Sequence, residues 1–199
     1  MATTDILLTP ATIWYAPVGE THPDPDVVGY GDDWGGNWES VGYTLTPLSC
    51  NFTREMFKLF VEQLTNPVRS KIQSEELVFE TQLAEFTGDN LLLAFGGTLT
   101  ETPAGPVQVG MDELEMGGDT TPDVYAFGFE GEYVTDANES FPVRIFAYRA
   151  TPVLGGALQF AKSAAVGIPI RIEVEADTGK AVGKQLIKIQ VVHTAALGS

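Results

Sequence analysis

Strict alternation of apolar and polar residues is the feature that most constrains how this chain can fold. Near the C-terminus, four β-branched apolar residues alternate with polar or proline residues: Ile168, Ile170, Ile172 and Val174 against Pro169, Arg171, Glu173 and Glu175. Successive side chains of a β-strand point to opposite faces. The pattern therefore predicts a strand over residues 168–177 with one buried face and one polar face.

Comparable strand patterns dominate the rest of the chain, and helical periodicity is scarce. Strands are predicted near residues 11–18, 38–44, 49–61, 68–86, 124–133, 141–149 and 185–193. One helix is predicted over 87–95, where Thr87 can cap the N-terminus, Asp89 lies in the first turn and Gly96 ends the helix. The sequence thus predicts a mostly β, antiparallel fold with one short α-helix, in a single domain over residues 1–199.

A long polar hairpin is predicted over about residues 49–86. The Asn66-Pro67 dipeptide interrupts the two strand patterns, and proline cannot donate a hydrogen bond within a β-ladder, so this dipeptide is expected at the hairpin tip. The two arms, 49–64 and 68–86, are much longer than the usual strand of about five or six residues. We therefore expect the arms to extend past their own domain.

Two segments are rich in turn-forming residues and are interpreted as loops. They are residues 19–37 and residues 100–123. Uncovered loops of this length are uncommon in compact domains. Either a neighbouring copy or a function orders them, or they are disordered in the isolated chain.

The charge of the chain is strongly negative and unevenly distributed. The net charge is −16, the first basic residue is Arg54, and no Lys or Arg occurs between Ile72 and Val143, a gap that holds fifteen acidic residues. A surface of this kind repels nucleic acid phosphates over a Debye length of about 8 Å at physiological salt. High-affinity DNA binding is therefore not expected.

No constellation of catalytic or metal-binding residues is apparent in the sequence. The two histidines, His22 and His193, lack motif context, Cys50 is interpreted as a small core residue, and the glycine pairs do not match phosphate-binding loops. One aspartate cluster could in principle bind calcium, but its spacing matches no calcium loop: Asp24, Asp26, Asp32 and Asp33. We therefore predict no enzymatic activity, no metal and no cofactor.

Trp34 and Trp38 flank glycines and allow two interpretations. They could form an aromatic platform for sugars, or they could pack onto the core or an interface, as aromatic residues beside turns more often do.

The apolar stretches, such as Leu91–Phe95, are far shorter than the roughly 20 residues that a membrane helix requires. We expect a cytosolic product that does not enter a membrane.

Three segments resemble the siphophage major tail tube proteins. NWESVGYT at 37–44 is similar to a stretch near the start of that family, ahead of a polar hairpin. SEELVFETQLAEFTGDNLLLAFGG at 74–97 resembles the family's strand and short helix, and FPVRIFAYRATPVLGGALQFAKSAAVGIPIRIEVEAD at 141–177 resembles its closing region. The order of these segments along the chain carries the resemblance, and the acidic loop at 19–37 departs from the family pattern.

The resemblance implies a fold, an assembly and partners. The fold would be a β-sandwich or barrel with a flanking helix, and the assembly would be hexameric rings stacked into a tube through which DNA passes during ejection without specific binding. The family's partners would be the tape measure protein, the tail terminator and the tail tip proteins. The protein would be made in the bacterial host cytoplasm and reside in the virion tail.

Under this resemblance, two sets of residues become candidates for function. Glu76, Glu80 and Gln82 are expected to line the channel, with ordinary outer-surface polarity as the alternative. The hairpin residues expected to contact a neighbouring subunit are Phe57, Phe60, Val61, Leu64, Asn66 and Pro67. Two other functions remain open: a tail terminator or secretion-tube ring protein of related fold, and a carbohydrate-binding β-sandwich.

Overall fold

The computed structural model describes residues 9–118, 120–134 and 139–194. The elements in these ranges are β1 (Thr12–Pro17), β2 (Glu39–Ser40), β3 (Ser49–Leu59), β4 (Arg69–Leu83), α1 (Gly88–Phe95), β5 (Thr98–Thr102), β6 (Met111–Glu115), β7 (Tyr125–Val134), β8 (Ser140–Leu154), β9 (Ile168–Val174) and β10 (Ile187–Val191). A mostly β fold with one short helix, as predicted, is confirmed for this part of the chain.

Eight of these strands form one antiparallel sheet in the order β2-β1-β7-β8-β9-β4-β3, with β10 also paired to β8. The fifteen-residue β8 has room for two partners along one edge: residues 143–147 pair with β10 and residues 150–154 pair with β9. Strands β5 and β6 form a separate two-stranded sheet. The long central strand β8 therefore connects the two halves of the large sheet.

The large sheet folds over on itself. Phe79 of β4 stacks on Phe129 of β7 with ring centroids 4.2 Å apart, although three strand spacings separate β4 from β7 in the sheet order. Those spacings would amount to about 14 Å in a flat sheet. The curvature encloses one apolar core between the two halves, an arrangement consistent with the expected β-sandwich.

One face of each strand lines this inner core. In β4, Leu77, Phe79 and Leu83 are each at most 2% exposed, and they pack with Ile170 and Ile172 of β9. The alternation seen in the sequence therefore assigns the buried face of both strands correctly. Burying such side chains contributes roughly 1.5–3 kcal/mol each relative to leaving them in water.

Helix α1 closes one side of the inner core, and its limits follow from local capping. The Thr87 hydroxyl accepts a hydrogen bond from the Asn90 amide at 3.3 Å, and Gly96 ends the helix at a positive φ of 68°. Leu93 is buried in the core, and the Asn90 side chain donates to the carbonyls of Val41 and Glu85. The helix predicted from the sequence is confirmed.

The 19–37 loop covers the outer face of β1, β7 and β8. Trp34 and Trp38 are each 5% exposed and pack with Phe146 in a second apolar cluster, and Trp34 stacks on Trp14 at 5.3 Å. Packing of the two tryptophans onto the core, one of the two interpretations above, is therefore confirmed. Buried indole rings do not offer an open platform for a sugar.

Two expectations about the chain's course are wrong. Residues 100–123, interpreted as a loop, include the end of β5 and all of β6, joined by a turn at Gly105 and Gln108. These strands are mostly exposed on both faces, so their sequence lacks the alternation that marks a half-buried strand. In addition, the strand expected over 38–44 is reduced to the two residues of β2.

Candidate assembly interface

The β3–β4 hairpin projects from the body of the protein. Every residue of β3 is exposed, and β4 is exposed over its first eight residues, up to Glu76, before becoming buried at Leu77. Eight residues of strand span about 26 Å. Strand β3 also ends the sheet order, and no strand among the described residues pairs with its outer edge. The hairpin thus offers a free edge with unpaired backbone groups.

The tip of the hairpin spans residues 60–68. The last ladder pair is Leu59 with Arg69, and the Val68 amide then donates to the Leu59 carbonyl at 2.8 Å. Asn66 and Pro67 lie in this tip, as predicted. The expected end of the first arm at residue 64 is wrong, because β3 ends at Leu59. A backbone turn from the Leu64 amide to the Val61 carbonyl ends the first arm early.

The hairpin exposes a run of large apolar side chains, defined here as the apolar arm. They are between 37% and 58% exposed: Phe52, Met56, Phe57, Leu59, Phe60, Val61, Leu64, Val68 and Ile72. None of them belongs to either core cluster. Exposed apolar surface of this extent, rimmed by polar residues, is typical of protein–protein contact sites. Four of the residues predicted for the hairpin interface belong to this arm: Phe57, Phe60, Val61 and Leu64.

The predicted polar face of β4 lies opposite its core face. Glu80 pairs across the ladder with Arg171, and Gln82 pairs with Pro169. The Arg171 guanidinium reaches carboxylate oxygens of Glu76 at 3.4 Å and Glu80 at 3.5 Å, as well as Glu173 at 2.9 Å. Three carboxylates around one guanidinium leave the face net negative. Sequence reasoning missed Arg171, because ladder register between β4 and β9 cannot be read from either strand alone.

The polar face continues from β9 onto β8. Glu175 accepts hydrogen bonds from the Thr151 hydroxyl at 2.7 Å and from Arg149 at 2.8 Å, and these two contacts lower the pKa of its carboxyl. Thr151 also pairs with Glu173 of β9. The outer face of the sheet therefore has two unlike halves, one covered by the 19–37 loop and one open and charged.

The aspartates of the 19–37 loop are engaged in turns. Asp24 accepts from the Asp26 amide, Asp32 from the Gly29 amide and Asp33 from the Gly35 amide, all at about 3 Å. Across the residues that the structure describes, no group of three or more His, Cys, Asp or Glu side chains is placed to hold a metal ion. Cys50 is exposed on β3 and is not the core residue expected from the sequence.

A family model described as phage tail tube protein matches residues 2–193. The chain belongs to the phage tail tube protein family. No curated protein matches the chain at a significant level.

Membership of the tail tube family gives the protein a structural role in the viral tail, with self-assembly into a tube. This role fits a surface in which the conspicuous feature is an exposed apolar arm. Within the described ranges, no helix has the length and apolar character needed to cross a membrane.

Proposed function

We propose that this tail tube protein is the subunit of a non-contractile siphophage tail tube, in which hexameric rings stack around a channel that conducts DNA during ejection. The observation that supports the proposal is the apolar arm. Phe57, Phe60 and Leu64 are each more than half exposed, so burying the remaining surface of each would contribute roughly 1–1.5 kcal/mol. A neighbouring subunit would supply the missing contacts.

Ring formation also resolves the free edge of the sheet. The outer edge of β3 carries unpaired backbone donors and acceptors, which in an isolated subunit invite uncontrolled pairing. Head-to-tail contacts that close by rotation make a ring, and further contacts between unlike faces stack rings into an open-ended tube. Such a tube has unsatisfied subunit faces at both ends, where the terminator and tail tip proteins would bind.

The open half of the outer face is the proposed channel lining. Glu76 and Glu80, with Gln82 beside them, share this half with Arg171 and Glu173. A net negative wall repels the phosphates of DNA, so that the genome slides without sticking. The tape measure protein would occupy the same channel before ejection. Subunits would be made in the bacterial host cytoplasm and end in the virion, with no catalytic role.

Electron microscopy of the purified protein in negative stain tests this proposal. Long tubes with a central channel are the expected result, and six-fold symmetry in end-on views would support the hexamer. Isolated rings would favour the tail terminator or secretion-ring alternative instead. A protein that remains monomeric at high concentration and binds glycans would overturn the proposal in favour of the carbohydrate-binding alternative.

A further inference from the structure

A second apolar surface lies at the C-terminal end of α1. A cleft of about 440 Å³ opens between this end of the helix, residues 116–117 and 120–123, and the end of β8, and its apolar lining includes Leu92, Phe95, Met116, Pro152 and Leu154. By comparison, a dry cavity of about 150 Å³ holds one benzene ring. The cleft, called the α1 cleft below, is therefore large enough for two apolar side chains of ordinary size.

The α1 cleft is acidic at its margin. Asp123 lines it, and among the described residues no lysine or arginine does. Glu115 of β6 adjoins the cleft, because its carbonyl lies beside Gly97 and the next residue, Met116, lines the cleft. An apolar ligand carrying positive charge would therefore be attracted to this cleft, and an acidic one would be repelled.

The tip half of the apolar arm has the complementary character. Residues 56–72 carry three basic side chains, Lys58, Arg69 and Lys71, against one acid, Glu62. The chain as a whole has a net charge of −16, so this segment is a positively charged patch within an acidic protein, and it also exposes Phe60 and Leu64. Opposite potentials on two apolar surfaces of the same protein favour contact between copies and fix which surfaces meet.

The two surfaces lie at opposite ends of the sheet along the strand direction. Leu154 in the cleft pairs with Ile170 of β9, and Ile170 pairs with Thr81 of β4. Thr81 lies twelve positions along β4 from Arg69, where the tip begins, a span of about 40 Å. A subunit therefore cannot place its own tip in its own cleft, and contact requires a second copy in a head-to-tail arrangement.

We propose that the hairpin tip of one subunit, led by Phe60 and Leu64, inserts into the α1 cleft of the next subunit along the tube axis. The inference rests on the proposed tube function and specifies the surface that receives the arm. Because tip and cleft are unlike and far apart, each subunit retains one of them free after the other is filled. The contact then propagates without closing, as an open-ended tube requires.

Disulfide cross-linking between different copies tests the pairing. Cys50 is the only cysteine and is exposed, so both partners start from Cys50→Ser. One partner also carries Gln63→Cys at the tip, and the other carries Met116→Cys in the cleft, where Met116 is 57% exposed. Mixing the two, assembling and oxidising should yield a cross-linked dimer that neither variant gives alone.

Two control variants, each used in place of Met116→Cys, show whether the cross-link is specific. Phe160→Cys probes the exposed aromatic pair of Phe86 and Phe160, which is the rival apolar acceptor, and Val182→Cys probes a fully accessible site; these positions are 75% and 93% exposed. The proposal predicts at least a tenfold higher dimer yield with Met116→Cys than with either control. Equal yields, or a higher yield with Phe160→Cys, would overturn it.

The same samples separate failure of the pairing from failure of the proposed function. If electron microscopy shows tubes but the tip does not cross-link to Met116→Cys, the cleft assignment is wrong and the tube function stands. If the Cys50→Ser protein and the wild type both form no tubes, both the proposed function and the proposed pairing are wrong.

Discussion

Arg144 and Glu130 form an ion pair inside the protein, with Arg144 Nε 2.8 Å from Glu130 Oε1 and both side chains at most 1% exposed. The pair also fixes the 19–37 loop: Arg144 donates to the carbonyls of Val28 and Gly29, and Glu130 accepts from the Gly31 amide. Two adjacent strands, β7 and β8, thus hold a loop without regular secondary structure against their outer face.

Removing one partner of this pair should destabilise the protein strongly. Glu130→Leu leaves the Arg144 guanidinium buried without its carboxylate, and breaking a buried pair in this way typically costs about 3–5 kcal/mol. The matched control is Glu75→Leu, which breaks the exposed Arg54–Glu75 pair and should cost about 1 kcal/mol or less. Urea denaturation of the unassembled subunit measures both, and similar losses in the two variants would contradict the role assigned to Glu130.

Gly128 should not tolerate a side chain, because Trp34 lies directly over it. A Cβ at Gly128 would meet Trp34 Cζ3 at 2.1 Å, far inside van der Waals contact. Gly128→Ala should therefore displace Trp34 and cost about 1–3 kcal/mol, as overpacking of a core does. In the control Gly156→Ala, the nearest atom is Pro169 Cβ at 3.7 Å, and little change is expected. Tryptophan fluorescence during denaturation reports both stability and the Trp34 environment.

His22 should make the subunit less stable below neutral pH. Its ring stacks between Phe146 and Tyr148, and burial, reinforced by Lys188 and Lys180, lowers the pKa of His22 to about 4. The unfolded chain takes up this proton near pH 6.5 and the folded one does not, so the contribution of His22 is complete above pH 6.5 and is lost as the pH falls toward 4.

Replacing His22 with phenylalanine keeps a stacked ring and removes the titration. The His22→Phe variant should therefore lose less stability than the wild type between pH 7 and pH 5, a window that lies above the usual carboxylate range. Denaturation curves at the two pH values measure the difference. An unchanged pH dependence would show that the His22 ring does not govern stability in this window.

The proposed channel lining predicts a defect in DNA passage without a defect in assembly. Glu76→Lys with Glu80→Lys reverses the charge around Arg171 and should attract phosphates, so that virions assemble but eject DNA more slowly or incompletely. Asp26→Lys with Asp33→Lys makes the same charge change on the 19–37 loop and serves as the control. Normal ejection by assembled Glu76→Lys, Glu80→Lys virions would place these residues outside the channel.

Local signals in the sequence are sufficient to predict several elements of the fold. The cap at Thr87 and the glycine at 96 define α1, because capping depends on residues a few positions apart. The alternation at 168–174 identifies β9 and its buried face. Asn66 and Pro67 mark the hairpin tip through the restricted backbone of proline.

The contacts that give the molecule its shape join residues far apart in the sequence. The Phe79–Phe129 stack depends on the curvature of the whole sheet, and the Arg144–Glu130 pair depends on the register of β7 with β8. Neither property is encoded in a single segment. The exposed position of Cys50 was missed for a related reason, because a hairpin that leaves the body of the protein exposes both faces of β3.

Deletion of residues 64–68, the second half of the hairpin tip, tests most directly whether the apolar arm drives assembly into a tube. A protein lacking residues 64–68 should retain the far-ultraviolet circular dichroism of the wild type, because the arm contributes nothing to either core cluster. In negative-stain electron microscopy, the wild type should form tubes and the deletion variant should remain monomeric. Tubes of normal length from the deletion variant would contradict this role of the arm.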